Sequence, residues 1–175
     1  LECNLTYQKN IGLCPLRIDL GKITPREFER QLASVSRVNK VDVLISCAPC
    51  TGFSRTNSAN HMRDDPRNSL VARMTLFVRH FQPGVFVMEN ARELLRGNFT
   101  HHFSKLRSGL DRLGYNVHAC NYFLDRFGLP QKRERAIVIA VRKLKLRTLD
   151  DLWEGICVRN EAVTVRRAIA DLPDV

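Results

Sequence analysis

Three short apolar runs punctuate a chain that is otherwise mixed in polarity. Val41-Asp42-Val43-Leu44-Ile45-Ser46-Cys47 is rich in β-branched residues, and Val85-Phe86-Val87-Met88 and Ala136-Ile137-Val138-Ile139-Ala140-Val141 are continuously apolar. Short runs of this kind predict strands. Strands apolar on both faces predict a parallel sheet covered on both sides. Leu16 to Leu20 is a weaker strand candidate. Between the runs the apolar period lengthens to that of a helix. Leu70, Met74, Phe77, Val78 and Phe81 share one helical face, as do Phe103, Leu106, Leu110 and Leu113, with Gly114 as the stop. Thr24-Pro25-Arg26-Glu27 carries an N-cap, a proline for the first turn and a Glu at the third position. Thr164 to Leu172 predicts one more short helix, and the polar stretch 57–68, which holds Pro66, predicts a loop. Strands alternating with helices predict an α/β fold.

Composition adds a boundary and a bias. An apolar fraction of 44% suits a folded chain of 175 residues. No run reaches the roughly 20 apolar residues that span a bilayer, and the first residues are not those of a signal peptide. The net charge of +10 favours a polyanionic partner, because Lys and Arg on phosphates release counterions. The six cysteines sit mostly in or beside apolar runs, as free thiols do. No paired CxxC sites have zinc spacing, so no metal is expected, and the protein reads as intracellular with reduced thiols.

Three segments carry candidate chemistry at strand ends, where open α/β sheets place their sites. In Ala48-Pro49-Cys50-Thr51-Gly52-Phe53-Ser54-Arg55, a Cys just beyond a strand, between a stiffening Pro and a permissive Gly, is well placed as a nucleophile. The same Cys47-Ala48-Pro49-Cys50 also reads as a thioredoxin-like redox pair, or as two cysteines of which one is buried. In Met88-Glu89-Asn90, a Glu directly after an apolar strand is expected to be desolvated, which suits a proton donor; it reads equally as a helix cap. In Gln131-Lys132-Arg133-Glu134-Arg135, alternation on an extended segment points two guanidinium groups to one side, for phosphate, base oxygen or carboxylate; a solvated charged turn is the plainer reading.

Taken together, Pro49-Cys50 with Gly52-Phe53-Ser54, then Glu89-Asn90, then Gln131-x-Arg133-x-Arg135 resemble the motifs of the DNA (cytosine-5) methyltransferases. They stand in that family's order, 39 positions from Cys50 to Glu89 and 46 from Glu89 to Arg135. Leu113-Gly114-Tyr115, Phe127-Gly128-Leu129-Pro130-Gln131 and the stretch from Val165 to Pro173 also match, so the resemblance runs from about Asp19 to Pro173.

The resemblance implies a three-layer, Rossmann-like methyltransferase fold that uses S-adenosylmethionine. It implies that Cys50 adds to C6 of cytosine, that Glu89 contacts N3 and the exocyclic amine, that Arg135 holds O2, and that Arg133 supports the loop and the thiolate. It implies double-stranded DNA as partner, with the target base flipped out of the stack. Asp19, Leu20, Pro49 and Leu70 match positions that line the methyl donor. The glycine-containing loop and the target-recognition region have no counterpart, the acidic residue for the ribose is not identified, and no GxG occurs in the chain. Residues 1–175 are therefore expected to be a partial catalytic domain with an incomplete sheet, leaving an apolar edge at Val41 to Ile45. A second chain supplying the missing motifs is one expected partner. The location would be cytoplasm and nucleoid in a prokaryote, or nucleus in a eukaryote. Two rivals stay open: an inactive fragment with a binding role, and a thiol-disulfide oxidoreductase.

Overall fold

The structure, a computed structural model, describes residues 2–36, 40–53, 63–143, 148–150, 153 and 161–173. Ser54, Arg55 and positions 57–62 of the expected polar loop lie outside the described residues. Helix α1 (Glu2–Ile11) has no buried residue. Helix α2 (Pro25–Val35) begins at the capping box read from the sequence: the Glu27 carboxylate accepts from the Thr24 N–H at 2.9 Å, and the Glu27 N–H donates back to Thr24 Oγ1 at 3.3 Å. Strand β1 (Val43–Ser46) follows, and a 3₁₀ turn (Pro66–Asn68) leads into α3 (Ser69–Phe81). Then come β2 (Val85–Ala91), the short α4 (Glu93–Arg96), α5 (His101–Arg112), β3 (Tyr115–Phe123), β4 (Glu134–Arg142) and α6 (Val165–Ala168).

The sheet runs β1-β2-β4-β3. Only β1 and β2 are parallel, in register from Val43 opposite Val85 to Ser46 opposite Met88. Strand β4 is antiparallel to both its neighbours. This corrects the wholly parallel sheet expected from the apolar runs. The reason lies in β3, which the sequence reading missed. Tyr115-Asn116-Val117-His118-Ala119-Cys120-Asn121 mixes polar and apolar residues instead of forming an apolar run. Its link to β4 is a 3₁₀ turn (Leu124–Phe127) and a short loop, with no crossover helix, and such a connection returns the chain antiparallel. Leu16 to Leu20 is not a strand but irregular chain ending in a turn.

Alternation along the strands separates two faces. Phe86, Met88, Val117, Ala136, Val138 and Ala140 turn to the side of Val71, Met74, Phe77 and Val78 of α3 and Leu106 and Leu110 of α5, and form the main core. Phe28 of α2 stacks edge-on to Phe77 and Phe81, at 5.7 and 6.0 Å, and ties α2 to this layer. The other face carries a smaller cluster of Tyr122, Ile139, Val141 and Leu149. On β1, the edge strand, Val43 and Ile45 are 52% and 69% exposed, in line with the expected open edge. Among the described residues, no helix is long and apolar enough to cross a membrane.

Candidate active site

The register of β2 against β4 builds the centre of the site. Ala91 pairs with Arg135 and Glu89 with Ile137, so Glu89 and Arg135 are diagonal neighbours with side chains on one face of the sheet. Their side chains meet: Arg135 Nε lies 2.9 Å from Glu89 Oε1. Glu89 therefore lies within the strand, with its side chain 38% exposed and ion-paired. It is not the desolvated carboxyl expected from a position beyond an apolar run. Alternation sends Glu134 to the opposite face, where it takes Arg92 Nη1 at 2.7 Å.

Cys50 reaches this place from the end of β1. Its loop is fixed at three points. The Cys50 carbonyl accepts from the Phe53 N–H at 3.0 Å. Phe53 is buried in the main core. Buried Asn90 donates from Nδ2 to the Ala48 carbonyl at 3.0 Å, joining the loop to the end of β2. Gly52 is required by close approach, since an added Cβ would collide with Asn68 Oδ1 and lie 2.6 Å from Asp65 Cβ. Cys50, Arg133 and Arg135 then line one open cleft of about 390 Å³, together with Arg92, Phe123 and Lys132. Desolvation first, and then the Glu89 carboxylate, push the Cys47 thiol up, against one backbone hydrogen bond that lowers it.

The model of the C-5 cytosine-specific DNA methylases matches residues 2–174. The chain belongs to that family. A Type II methyltransferase of Haemophilus parahaemolyticus, M1.HphI, is 40% identical over 105 residues, covering 57% of this chain and 27% of its own. M.NgoFVII of Neisseria gonorrhoeae is 28% identical over 176 residues, covering 96% of this chain and 44% of its own. The chain thus spans less than half the length of these relatives. The Dnmt2 methyltransferase of S. pombe superposes with a TM-score of 0.67 at 18% identity, over 91% of this chain and 46% of that one, which supports the Rossmann-like methyltransferase fold.

In this member of the C-5 methylase family, a second cleft of about 200 Å³ opens on the other side of the Cys50 loop. Leu20, Pro49 and Leu70, three of the positions expected to line a methyl donor, lie in it with Phe28, Leu44 and Phe77. The fourth, Asp19, does not. Its carboxylate accepts from the Gly21 N–H at 2.8 Å and closes its own turn, beside a separate hollow lined by Arg17, Lys22 and Arg30. The turn is held by Arg73 of α3, which donates to the Leu20 and Ile23 carbonyls at 2.7 and 2.8 Å. The sequence reading gave no role to Arg73, Arg92 or Phe123. Arg73 looks like any charged residue on the polar side of a helix, and Phe123 belongs to the strand that was missed.

Proposed function

We propose that residues 1–175 are part of a catalytic domain that methylates C5 of cytosine in double-stranded DNA, with Cys50 as the nucleophile. The observation that carries the reading is the convergence of Cys50 and Arg135 on one cleft, with Glu89 held 2.9 Å from Arg135. S-adenosylmethionine, the donor proposed here, supplies an electrophilic methyl group on a sulfonium. The cleft of Leu20, Pro49, Leu70, Phe28 and Phe77 suits a flat ring such as its adenine, being apolar and flanked by aromatic rings. Asp19 fits less well, because it does not line this cleft and one of its carboxylate oxygens closes its own turn.

The chain's own groups divide the work. Cys50 Sγ, as thiolate, adds to C6 and places the electron pair on C5, which a free cytosine lacks. Glu89 holds the proton at N3 that accepts charge in this step, and Arg135 binds O2 while fixing the Glu89 carboxylate. Arg133 keeps positive potential beside the thiolate. Loss of the C5 proton to water after methyl transfer re-forms the C5–C6 double bond and expels Cys50 from C6 as the thiolate. Arg92, Lys132 and Arg133 on the cleft rim suit phosphates flanking a base flipped from the duplex. The motifs not found here are proposed to come from a further polypeptide segment or chain. The cysteine pair is not read as a redox couple, because that reading leaves the paired Glu89 and Arg135 beside the cleft without a role.

The test is a trap. DNA carrying 5-fluorocytosine cannot lose fluorine as a cation, so an adduct at C6 persists. With S-adenosylmethionine, and with the remaining parts of a relative supplied as a second chain, a covalent protein–DNA band is expected that Cys50→Ala abolishes and Cys47→Ala retains. A band that survives Cys50→Ala would overturn the reading.

A further inference from the structure

On the helix side of the sheet, Asp64 meets the first turn of α5. His102 Nε2 lies 2.9 Å from both oxygens of Asp64, and His101 Nε2 lies 3.2 Å from Oδ2. The ligand atoms of the three residues lie within 4.8 Å of one another. We propose that Asp64, His101 and His102 form a binding site for a divalent transition ion of the zinc type, and that the ion anchors the base of the Cys50 loop to α5.

The donor set gives the chemical class. Two imidazoles and one carboxylate suit zinc and its neighbours, whereas calcium and magnesium prefer oxygen donors throughout. The spacing agrees. Bonds of about 2.0–2.1 Å in a tetrahedron place neighbouring ligand atoms roughly 3.3 Å apart. The two carboxylate-to-imidazole separations of 2.9 and 3.2 Å need only a few tenths of an ångström of expansion, and the three ligand atoms all lie within 4.8 Å of one another.

The ligands are also held in place. His102 is 6% exposed, and its ring meets Phe53 edge-on at 6.0 Å. Its Nδ1 is buried without a partner, so Nε2, aimed at Asp64, is its one nitrogen with a polar neighbour among the described residues. Asn68, fully buried, donates from Nδ2 to Asp64 Oδ1 at 2.8 Å and orients the carboxylate as an outer-sphere partner does. The side chains of Asp64 and His101 are 39% and 47% exposed, which leaves room for entry of the ion and for a water ligand.

The anchoring follows from the contacts of the same residues. Asn68 and Asp65 pack against Gly52, two positions from the nucleophile, and Phe53 packs against His102. An ion at Asp64 therefore ties the Gly52–Phe53 end of the Cys50 loop to α5. The site needs neither DNA nor methyl donor, so its failure and that of the methylation reading are distinguishable.

The experiment is a titration of the full chain, stripped with chelator, with Co²⁺ as a spectroscopic probe and then with Zn²⁺. A single equivalent of Co²⁺ is expected to give a visible absorption band that Zn²⁺ displaces. Zn²⁺ is expected to raise the Tm. Loss of an orienting partner alone costs about 10–100-fold in metal affinity, so His101→Ala and Asp64→Asn, both at exposed positions, should each weaken binding at least tenfold and lose the Tm rise. His80→Ala, remote from the cluster, should bind like wild type. Circular dichroism checks that each variant is folded. No band, or a band with equal affinity in His101→Ala and Asp64→Asn, overturns the proposal and leaves a hydrogen-bonded cluster only.

Discussion

Asn90 offers the sharpest test of how the nucleophile loop is held. It is 1% exposed, it donates from Nδ2 to the Ala48 carbonyl at 3.0 Å, and its Oδ1 accepts from the Ala91 N–H at 2.8 Å. Asn90→Ala removes both bonds at once. A buried polar group left without a partner costs about 1–3 kcal/mol. The Ala91 N–H is buried and the Ala48 carbonyl only half-buried, so the expected loss is about 2–4 kcal/mol. For a chain of this size about 1 kcal/mol corresponds to roughly 2–4 °C, and Tm should fall by about 5–15 °C. The damage should also be local. With the tie to β2 gone, Cys50 should react faster with iodoacetamide below the Tm, by several-fold relative to Cys47, read by mass spectrometry of the digested protein. Asn90→Asp, which keeps the shape but turns an anionic oxygen towards the Ala48 carbonyl, should loosen the loop in the same way. If Asn90→Ala changes Tm by less than about 1 °C and leaves the Cys50-to-Cys47 labelling ratio unchanged, the bond to Ala48 does not hold the loop.

Two glycines should separate steric from conformational cost. Gly114 has φ +80° with nothing within 4 Å of an added Cβ, so Gly114→Ala should cost only about 1–2 kcal/mol of backbone strain. Gly52→Ala must displace Asp65 or Asn68, and should lower the urea midpoint further and disturb Cys50 labelling, which Gly114→Ala should not; equal effects on both readouts would contradict the close approach at Gly52. Asp65 gives a pH signature. Hydrogen bonds from Arg67 hold its carboxyl at about 2, so its contribution is present above the ordinary carboxyl value and is lost as the pH falls towards about 2. Asp65→Asn should therefore be less stable than wild type near pH 5, and the gap should close as the pH approaches about 2; a gap that persists unchanged would refute the pairing.

What was legible in the sequence was local. The Thr24 box and the α3 periodicity each depend on neighbours within a few positions, and each appears where the pattern puts it. The three apolar runs became β1, β2 and β4 because continuous burial leaves a plain mark. Strand β3 was not legible because Asn116, His118 and Asn121 break the run. The pairing of Arg73 with the Leu20 and Ile23 carbonyls spans fifty positions or more and has no local signature. The Asp64–His101–His102 cluster escaped for a related reason. Cysteine spacing is the local mark of a metal site, whereas Asp64, His101 and His102 meet only after α5 packs beside the segment that supports Gly52.

The strand direction that the sequence reading missed is also what makes the site possible. Glu89 lies near the carboxyl end of β2, and Arg135 near the amino end of β4. Had β4 run parallel to β2, its amino end would lie beside Val85, and with about 3.3 Å of rise per residue the guanidinium would sit more than 10 Å from the carboxylate. Antiparallel pairing brings the start of β4 to the end of β2, and the pleat then places positions 89 and 135 on one face as diagonal neighbours. The same reversal leaves Arg133 and Lys132 beyond the strand, at the end of the sheet where β1 delivers Cys50. A parallel β1 and an antiparallel β4 are both needed: the first sends its chain outward at that edge, and the second enters there. The separation of 46 positions between Glu89 and Arg135 is thus filled by α4, α5 and β3, an excursion that carries the chain to the far side of the sheet so that β4 can come back through its middle in reverse.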